Sequence, residues 1–231
     1  MQDKKTQTSQ IQEQITEFLL ENGAGQVGFC RLGDDEFGQN KFGLKYAISY
    51  TIPLSNAVID EIDGAPTYTY FHHYRTVNTL IDNNSLKIGI MLQKLGYKYV
   101  SVPASQSTGG YHGLFSHKYA AVRSGLGYVG KSGLFVSAEN GPRVRLGTIL
   151  TDCPEFDLNA TILNSQCGEC RACARACPAM AIKGNNWEPG IPREDIIDAR
   201  ACSEHMKKAY QHIGRGVVCG ICMRVCPKGL K

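Results

Sequence analysis

The chain has 231 residues, 42% hydrophobic and 20% charged, which suffices for a real core and excludes a disordered, low-complexity protein. The polar start "MQDKKTQTSQ" has no apolar stretch of the signal-peptide kind, and no apolar run reaches bilayer length, so a cytoplasmic protein with no membrane contact is expected. The formal charge of +4 counts cysteines as neutral, and bound thiolate clusters would offset it, so charge alone selects no partner.

In chain order, Ile11, Ile15, Phe18 and Leu19 share one helical face that Asn22-Gly23 ends. "QVGFCRL" and "KYAISYTIPL" are β-branched and aromatic and read as strands. Ile81, Ser85, Ile88, Leu92 and Leu95 make a stripe that predicts a helix over 77–95, stopped by Gly96. "YKYVSVPA" reads as a strand, "STGGYHG" as a loop and "SHKYAAVRS" as a short helix. "GLFVS" and "RVRLGTILTD" follow as strands, predicted to form a hairpin turned at "AENGP". Interleaved helices and strands predict an α+β layer domain over 1–155, with a smaller domain over 156–231.

Cysteine usage defines that second domain. Only Cys30 and Cys153 precede residue 167; the other eight lie between 167 and 226. Cys167, Cys170, Cys173 and Cys177, followed by Pro178, have the C-x2-C-x2-C-x3-C-P spacing of bacterial ferredoxins. Cys219, Cys222 and Cys226 with Pro227 form a second run one cysteine short, and Cys202 supplies the missing thiolate. In the ferredoxin pattern the last cysteine of each run crosses to the other cluster. That assigns Cys167, Cys170, Cys173 and Cys226 to one [4Fe–4S] cluster and Cys177, Cys202, Cys219 and Cys222 to the other. A pair of zinc knuckles is the alternative, but knuckles are set further apart than this. Cys30 and Cys153 read as buried thiols, with Cys153 close enough in sequence to the module to touch a cluster or substrate.

Residues 125–132, "GLGYVGKS", satisfy both the phosphate-loop pattern and the dinucleotide pattern. Both loops require a strand before and a helix after, so that amides at the helix N-terminus meet phosphate. Here the helix comes first, which excludes both. The surrounding stretch 83–138 contains no Asp or Glu, while Lys118, Arg123 and Lys131 interleave with Tyr111, His112, His117 and Tyr119. Such a segment suits an anionic or phosphate-bearing ligand.

The order of helix, "SGLGYVGKSGLFVSAENGPRVRLGTILTD" and double-cluster module resembles the epoxyqueuosine reductase and reductive dehalogenase superfamily over roughly residues 40–230. "GLGYVGK" is similar to that family's "GLGWIGK". The resemblance implies a nitroreductase-like domain holding cobalamin against a ferredoxin-like domain, with the Cys167 cluster nearer the corrinoid. It implies a low-potential donor of the ferredoxin or flavodoxin type for the other cluster. His117, Gly127, Gly130, Lys131 and Arg143 are the corresponding candidates for cofactor binding. The family's dehalogenases use a Tyr with a basic neighbour, for which Tyr111 or Tyr119 with Lys118 or Lys131 stands in; a phenol beside a cation donates a proton more readily.

The chain departs from the epoxyqueuosine reductases in lacking their Asp donor before the glycine segment. It also lacks their C-terminal helical repeats, so tRNA is not the expected partner. The alternatives are a flavin on the same scaffold, a non-catalytic electron-transfer protein, or a truncated epoxyqueuosine reductase homologue.

Overall fold

The computed structural model describes residues 2–33, 42–154, 156–214 and 218–229. The chain groups into two compact units, each assembled from three segments: 1–53, 78–126 and 145–163 in one; 54–77, 127–144 and 164–231 in the other.

The first unit holds a four-stranded sheet. Helix α1 (Gln2–Glu21) leads into β1 (Gln26–Arg31) and β2 (Tyr46–Pro53), which pair antiparallel with Gly28 opposite Ser49. After α2 (Asn56–Asp60) comes the long α3 (Tyr68–Lys94), then β3 (Tyr99–Val102) and α4 (His117–Arg123). Next are β4 (Gly127–Val129), β5 (Phe135–Ser137) and β6 (Val144–Thr151). The order in the large sheet is β1-β2-β6-β3, with β6 antiparallel to β3.

The hairpin expected between "GLFVS" and "RVRLGTILTD" does not form. Strand β5 pairs back onto β4, placing Val129 opposite Phe135, while β6 inserts between β2 and β3. The reason is burial: Ile149 and Leu150 of β6 are wholly buried, which an isolated two-stranded hairpin cannot offer.

Helix α1 buries Ile11, Ile15 and Leu19, as its spacing requires. Helix α3 buries Ile81, Ser85, Ile88 and Leu92 but leaves Leu95, in the turn just past its end, exposed. It starts nine residues before the apolar stripe does, because the Thr67 hydroxyl accepts the Tyr70 amide at 3.0 Å and opens the helix there. Tyr50 on β2 is fully buried, donates to the Ile81 carbonyl at 2.8 Å and pairs with Ser85 Oγ at 2.8 Å. Its ring lies where any side chain at Gly147 would stand, only 2.2 Å from that position, so this part of the core is packed to the limit. Helix α4 adds Tyr119 and Ala120 to a cluster with Cys30, Leu32, Ala47, Val102, Phe115 and Leu150.

The second unit contains the β4–β5 hairpin, α2, the start of α3, the cysteine-bearing helices α5 (Ala172–Ala176), α7 (Ala199–Tyr210) and α8 (Ile221–Arg224), and the short α6 (Arg193–Ile196) between them. Residues 54–77 and 127–144 thus group with the C-terminal segment rather than with the rest of residues 1–155. Close packing explains it. A side chain at Gly133 would lie 3.0 Å from Ile197, and one at Gly220 would lie 2.7 Å from Ile62. Among the described residues no helix is long and apolar enough to cross a membrane.

Candidate functional site

None of the ten cysteines is in a disulfide. Cys30 and Cys153 are buried in the first unit; burial raises the Cys30 pKa against opposing effects of Ser124 and Arg123. The other eight sit on short, tightly turned segments of the second. Cys170 N–H bonds to the Cys167 carbonyl at 3.0 Å, and Cys173 rides on α5. Cys202 lies on α7, whose start is fixed by the Asp198 carboxylate accepting the Ala201 amide at 2.9 Å. Cys222 belongs to α8, and Cys226 is held by its carbonyl accepting the Gly229 amide at 3.0 Å.

Electrostatic neighbourhood sorts these thiols. Burial raises the pKa of Cys173, and the charges of Cys167, Cys226 and Cys170 raise it further. Cys226 is raised by burial and then by Cys167 and Cys170. Cys202 is pushed up to about 11 by burial and by Cys219 and Cys177. Cys219 is raised by burial and Cys177. Cys222 rises by burial and through Cys219 and Cys202, with lesser effects from Cys173 and Cys177. The neighbours form one group with Cys167 and another with Cys177, and Cys222 with Cys173 is the point where they approach.

Thiolates that repel one another in a partly buried pocket form a donor set that a cationic iron–sulfur core would stabilise, and in this respect the residues fit such clusters. Among the described residues no three His, Cys, Asp or Glu side chains converge as tightly as a single-ion site requires.

The "GLGYVGKS" stretch lies against this module. Gly125 takes φ +71° after α4, and residues 127–129 are a strand rather than a loop opening a helix, in keeping with the exclusion of a nucleotide loop. A Cβ at Gly127 would meet the Val136 carbonyl at 2.1 Å across the hairpin. One at Gly130 would lie 2.9 Å from Val136 Cγ2 and 3.5 Å from Cys167 Sγ. Both glycines therefore serve close backbone packing. Lys131 is 4% exposed and donates through Nζ to the Gly168 carbonyl at 2.6 Å, tying the hairpin to the Cys167–Cys170 turn. Tyr128, which the sequence does not single out, has a buried hydroxyl within electrostatic reach of Cys167 and Cys226.

Arg143 is buried, and its guanidinium donates to Asn56 Oδ1 at 2.9 Å and Asp60 Oδ1 at 2.8 Å. The Arg143 hydrogen bond holds the Asp60 carboxyl below its usual range, outweighing desolvation, with the Arg224 charge adding. Arg143 thereby braces α2.

The remaining candidates lie in the first unit. His117 has both ring nitrogens engaged: Nε2 donates to the Pro103 carbonyl at 3.0 Å and Nδ1 accepts from Thr148 Oγ1 at 2.8 Å. Burial pushes its pKa down to about 4; the Arg145 charge adds, and the Pro103 carbonyl and Asp82 oppose. Tyr119 is 8% exposed, packs edge-on to Phe115 at 5.9 Å and accepts the Gly33 amide at 3.2 Å. Lys118 beside it is half-buried. Tyr111 differs from Tyr119: it is 42% exposed at φ +63°, so core packing does not account for it.

Asp82, one residue before the acid-free stretch, accepts the Ala104 amide at 2.9 Å and lies within electrostatic reach of His117. Sequence inspection of residues 83–138 misses it because the approach is tertiary.

His117 yields a pH prediction. An unfolded histidine titrates near 6.5, so below that the unfolded chain takes up a proton that the folded one refuses until about 4. Stability therefore falls as pH drops through that window, by an amount on the order of 2–3 kcal/mol. The drop in Tm between pH 7 and pH 5 is expected to be larger in wild type than in His117→Gln, measured by thermal unfolding at each pH.

A family of 4Fe-4S double cluster binding domains matches residues 166–229. The chain is 29% identical over 181 residues to the epoxyqueuosine reductase of Vibrio cholerae, covering 70% of this chain and 43% of that protein. It is 30% identical over 155 residues to the tetrachloroethene reductive dehalogenase of Desulfitobacterium hafniense, covering 61% of this chain and 25% of the other. The chain thus spans less than half the length of these relatives. Among solved structures, a reductive dehalogenase described as suggesting a mechanism for B12-dependent dehalogenation superposes with TM-score 0.73 at 21% identity, covering 92% of this chain and 31% of the other. The epoxyqueuosine reductase of Bacillus subtilis superposes with TM-score 0.66 at 17% identity, covering 96% and 66%. At such identities the likeness is one of fold. Cysteine spacing and the domain match agree: the chain carries a double [4Fe–4S] cluster-binding domain at residues 166–229, and it is similar to epoxyqueuosine reductases and reductive dehalogenases over part of their length.

Proposed function

We propose that the protein is an iron–sulfur oxidoreductase working in a reducing cytoplasm and linked to corrinoid reduction. The sorting of eight thiols into two neighbouring groups carries this reading. In it, Cys167, Cys170, Cys173 and Cys226 bind one cluster, and Cys177, Cys202, Cys219 and Cys222 bind the other. When bound, such clusters supply one-electron transfer at low potential. The chain's own residues position and insulate: Lys131 pins the Cys167–Cys170 turn, and Gly130 lets the hairpin backbone pass close to Cys167. Electrons enter from an external donor of the ferredoxin or flavodoxin type.

The corrinoid part rests on the relatives and on the acid-free basic stretch. Within that stretch His117 is spent on Thr148 and Pro103 and Lys131 on Gly168, so neither presents a ready nitrogen to a corrinoid. Tyr111, exposed in a strained loop, is the better proton donor of the two tyrosines.

Anaerobically purified protein titrated with cobalamin is expected to bind it and, once reduced, to shift its visible spectrum toward the reduced form. No binding at high micromolar concentration removes the corrinoid from this reading. A second reading, reduction of epoxyqueuosine in tRNA, is favoured by Asp82, an acid placed beside the otherwise acid-free segment. Turnover of epoxyqueuosine-containing tRNA in place of cobalamin reduction selects it.

A further inference from the structure

We propose that Tyr128 donates a hydroxyl hydrogen bond to sulfur at the edge between Cys167 and Cys226, and that this bond raises the reduction potential of the cluster those cysteines hold. The inference rests on the ligand reading above.

Tyr128 lies in β4 and is only 3% exposed. Its hydroxyl is completely buried, and no acceptor for its proton lies within hydrogen-bond distance among the described residues. Tyr128 shares a strand face with Gly130, two residues on, whose Cβ position lies 3.5 Å from Cys167 Sγ, and Cys167 and Cys226, one from each cysteine run, lie within electrostatic reach of the phenol. A buried hydroxyl without an acceptor costs about 1–3 kcal/mol, which phenylalanine at the same place would avoid. The polar chemistry next to the stranded proton is sulfur, and iron-bound thiolate and sulfide both accept hydrogen bonds. The donor is also held rigidly. Tyr128 pairs with Val136 across the hairpin, Gly130 abuts Cys167, and Lys131 is tied to Gly168.

The other group of thiols supplies the contrast. Tyr210 lies in the field of Cys219 and Cys177, but its hydroxyl is already engaged by the Gly64 carbonyl at 3.4 Å and His205 at 3.5 Å. Of these two tyrosines, the one beside the Cys167 group keeps an unspent proton. A donor aimed at cluster sulfur stabilises the reduced, more negative state, so it raises the potential of that cluster alone. The family's "GLGWIGK" segment has Trp at this position, whose indole N–H is also a donor.

The test is a redox titration of anaerobic wild-type, Tyr128→Phe and Tyr128→Trp proteins, followed by EPR, with iron counted in each. In Tyr128→Phe, iron content is expected to stay at the wild-type value while one cluster becomes about tenfold harder to reduce at fixed potential, ~59 mV for one electron. The other cluster stays unmoved, and Tyr128→Trp recovers part of the shift. Unchanged potentials, equal shifts of both clusters, or a shift toward easier reduction overturn the proposal while leaving the ligand reading intact, since the iron is still present. Should Tyr128→Phe fail to retain iron, wild-type protein grown on ring-deuterated tyrosine decides. Deuteron coupling in pulsed EPR on the cluster that Cys170→Ala abolishes supports the proposal, and its absence overturns it. The ligand reading fails separately, if Cys170→Ala keeps all its iron.

Discussion

Cys170→Ala is expected to purify with about half of the wild-type iron, and Cys202→Ala to lose the other half. In the proposed division each substitution removes one of four thiolates from a different group: Cys170 from the turn that Lys131 pins, and Cys202 from the end of the first turn of α7. A cubic cluster held by three thiolates loses its fourth corner to solvent and decays, while the neighbouring cluster keeps its full ligand set. The reduced EPR spectra of the two variants are therefore expected to be complementary, summing to that of wild type. If either variant keeps all its iron, or if both lose the same signal, the division of cysteines is wrong. Cys173 and Cys222, where the groups approach, are poorer probes because loss of either disturbs both.

Gly141→Ala is expected to damage the first cluster from a distance of many residues in sequence. Gly141 takes φ +58°, and a Cβ there would stand 2.2 Å from the Lys228 carbonyl oxygen and 2.8 Å from the Gly229 nitrogen. Backbone cannot yield as a side chain does, so the 226–229 turn must move, and Cys226 with it. Alanine in the left-handed region costs about 1 kcal/mol, and the overlap adds roughly 1–3 kcal/mol. The expected result is a lowered unfolding temperature together with partial loss of the Cys226-containing cluster and retention of the other. Gly64→Ala is the control, with φ +66° and nothing within 4 Å of the added atom, so it carries the backbone strain without the collision. Equal behaviour of the two variants would mean that the 226–229 turn adjusts freely.

The two outcomes bear on the same question, whether the glycine-rich hairpin and the cysteine module act as one structure. Gly127, Gly130, Lys131 and Gly141 come from the hairpin region, and Cys167, Gly168 and Lys228 meet them. Three local demands explain why a stretch resembling a nucleotide loop has glycines: Gly125 takes a positive φ, Gly127 meets the Val136 backbone, and Gly130 leaves room for the Val136 side chain beside Cys167.

The helices and strands were largely legible from periodicity, because the burial of Ile11, Ile15 and Leu19, or of Ile81, Ile88 and Leu92, is a local consequence of 3.6-residue spacing. The cysteine module was legible for a related reason. Ligands two or three residues apart must wrap one object, and thiol chemistry limits what that object is. Pairing of strands was not legible. Nothing local distinguishes β5 joined to β6 from β5 joined to β4, since the choice depends on which strand finds burial on both faces.

Side-chain roles divide along the same line. The amino-acid order determined the double-cluster module and the candidate polar residues around "GLGYVGKS", since these depend on residue type and spacing. Tertiary structure alone decided what those polar groups are doing. It spends His117 on Thr148 and Pro103, Arg143 on Asn56 and Asp60, and Lys131 on Gly168, and it leaves the Tyr128 proton unclaimed beside Cys167 and Cys226. The physical reason is that a hydrogen bond needs a partner within about 3 Å, and for these residues the partner lies tens of positions away along the chain.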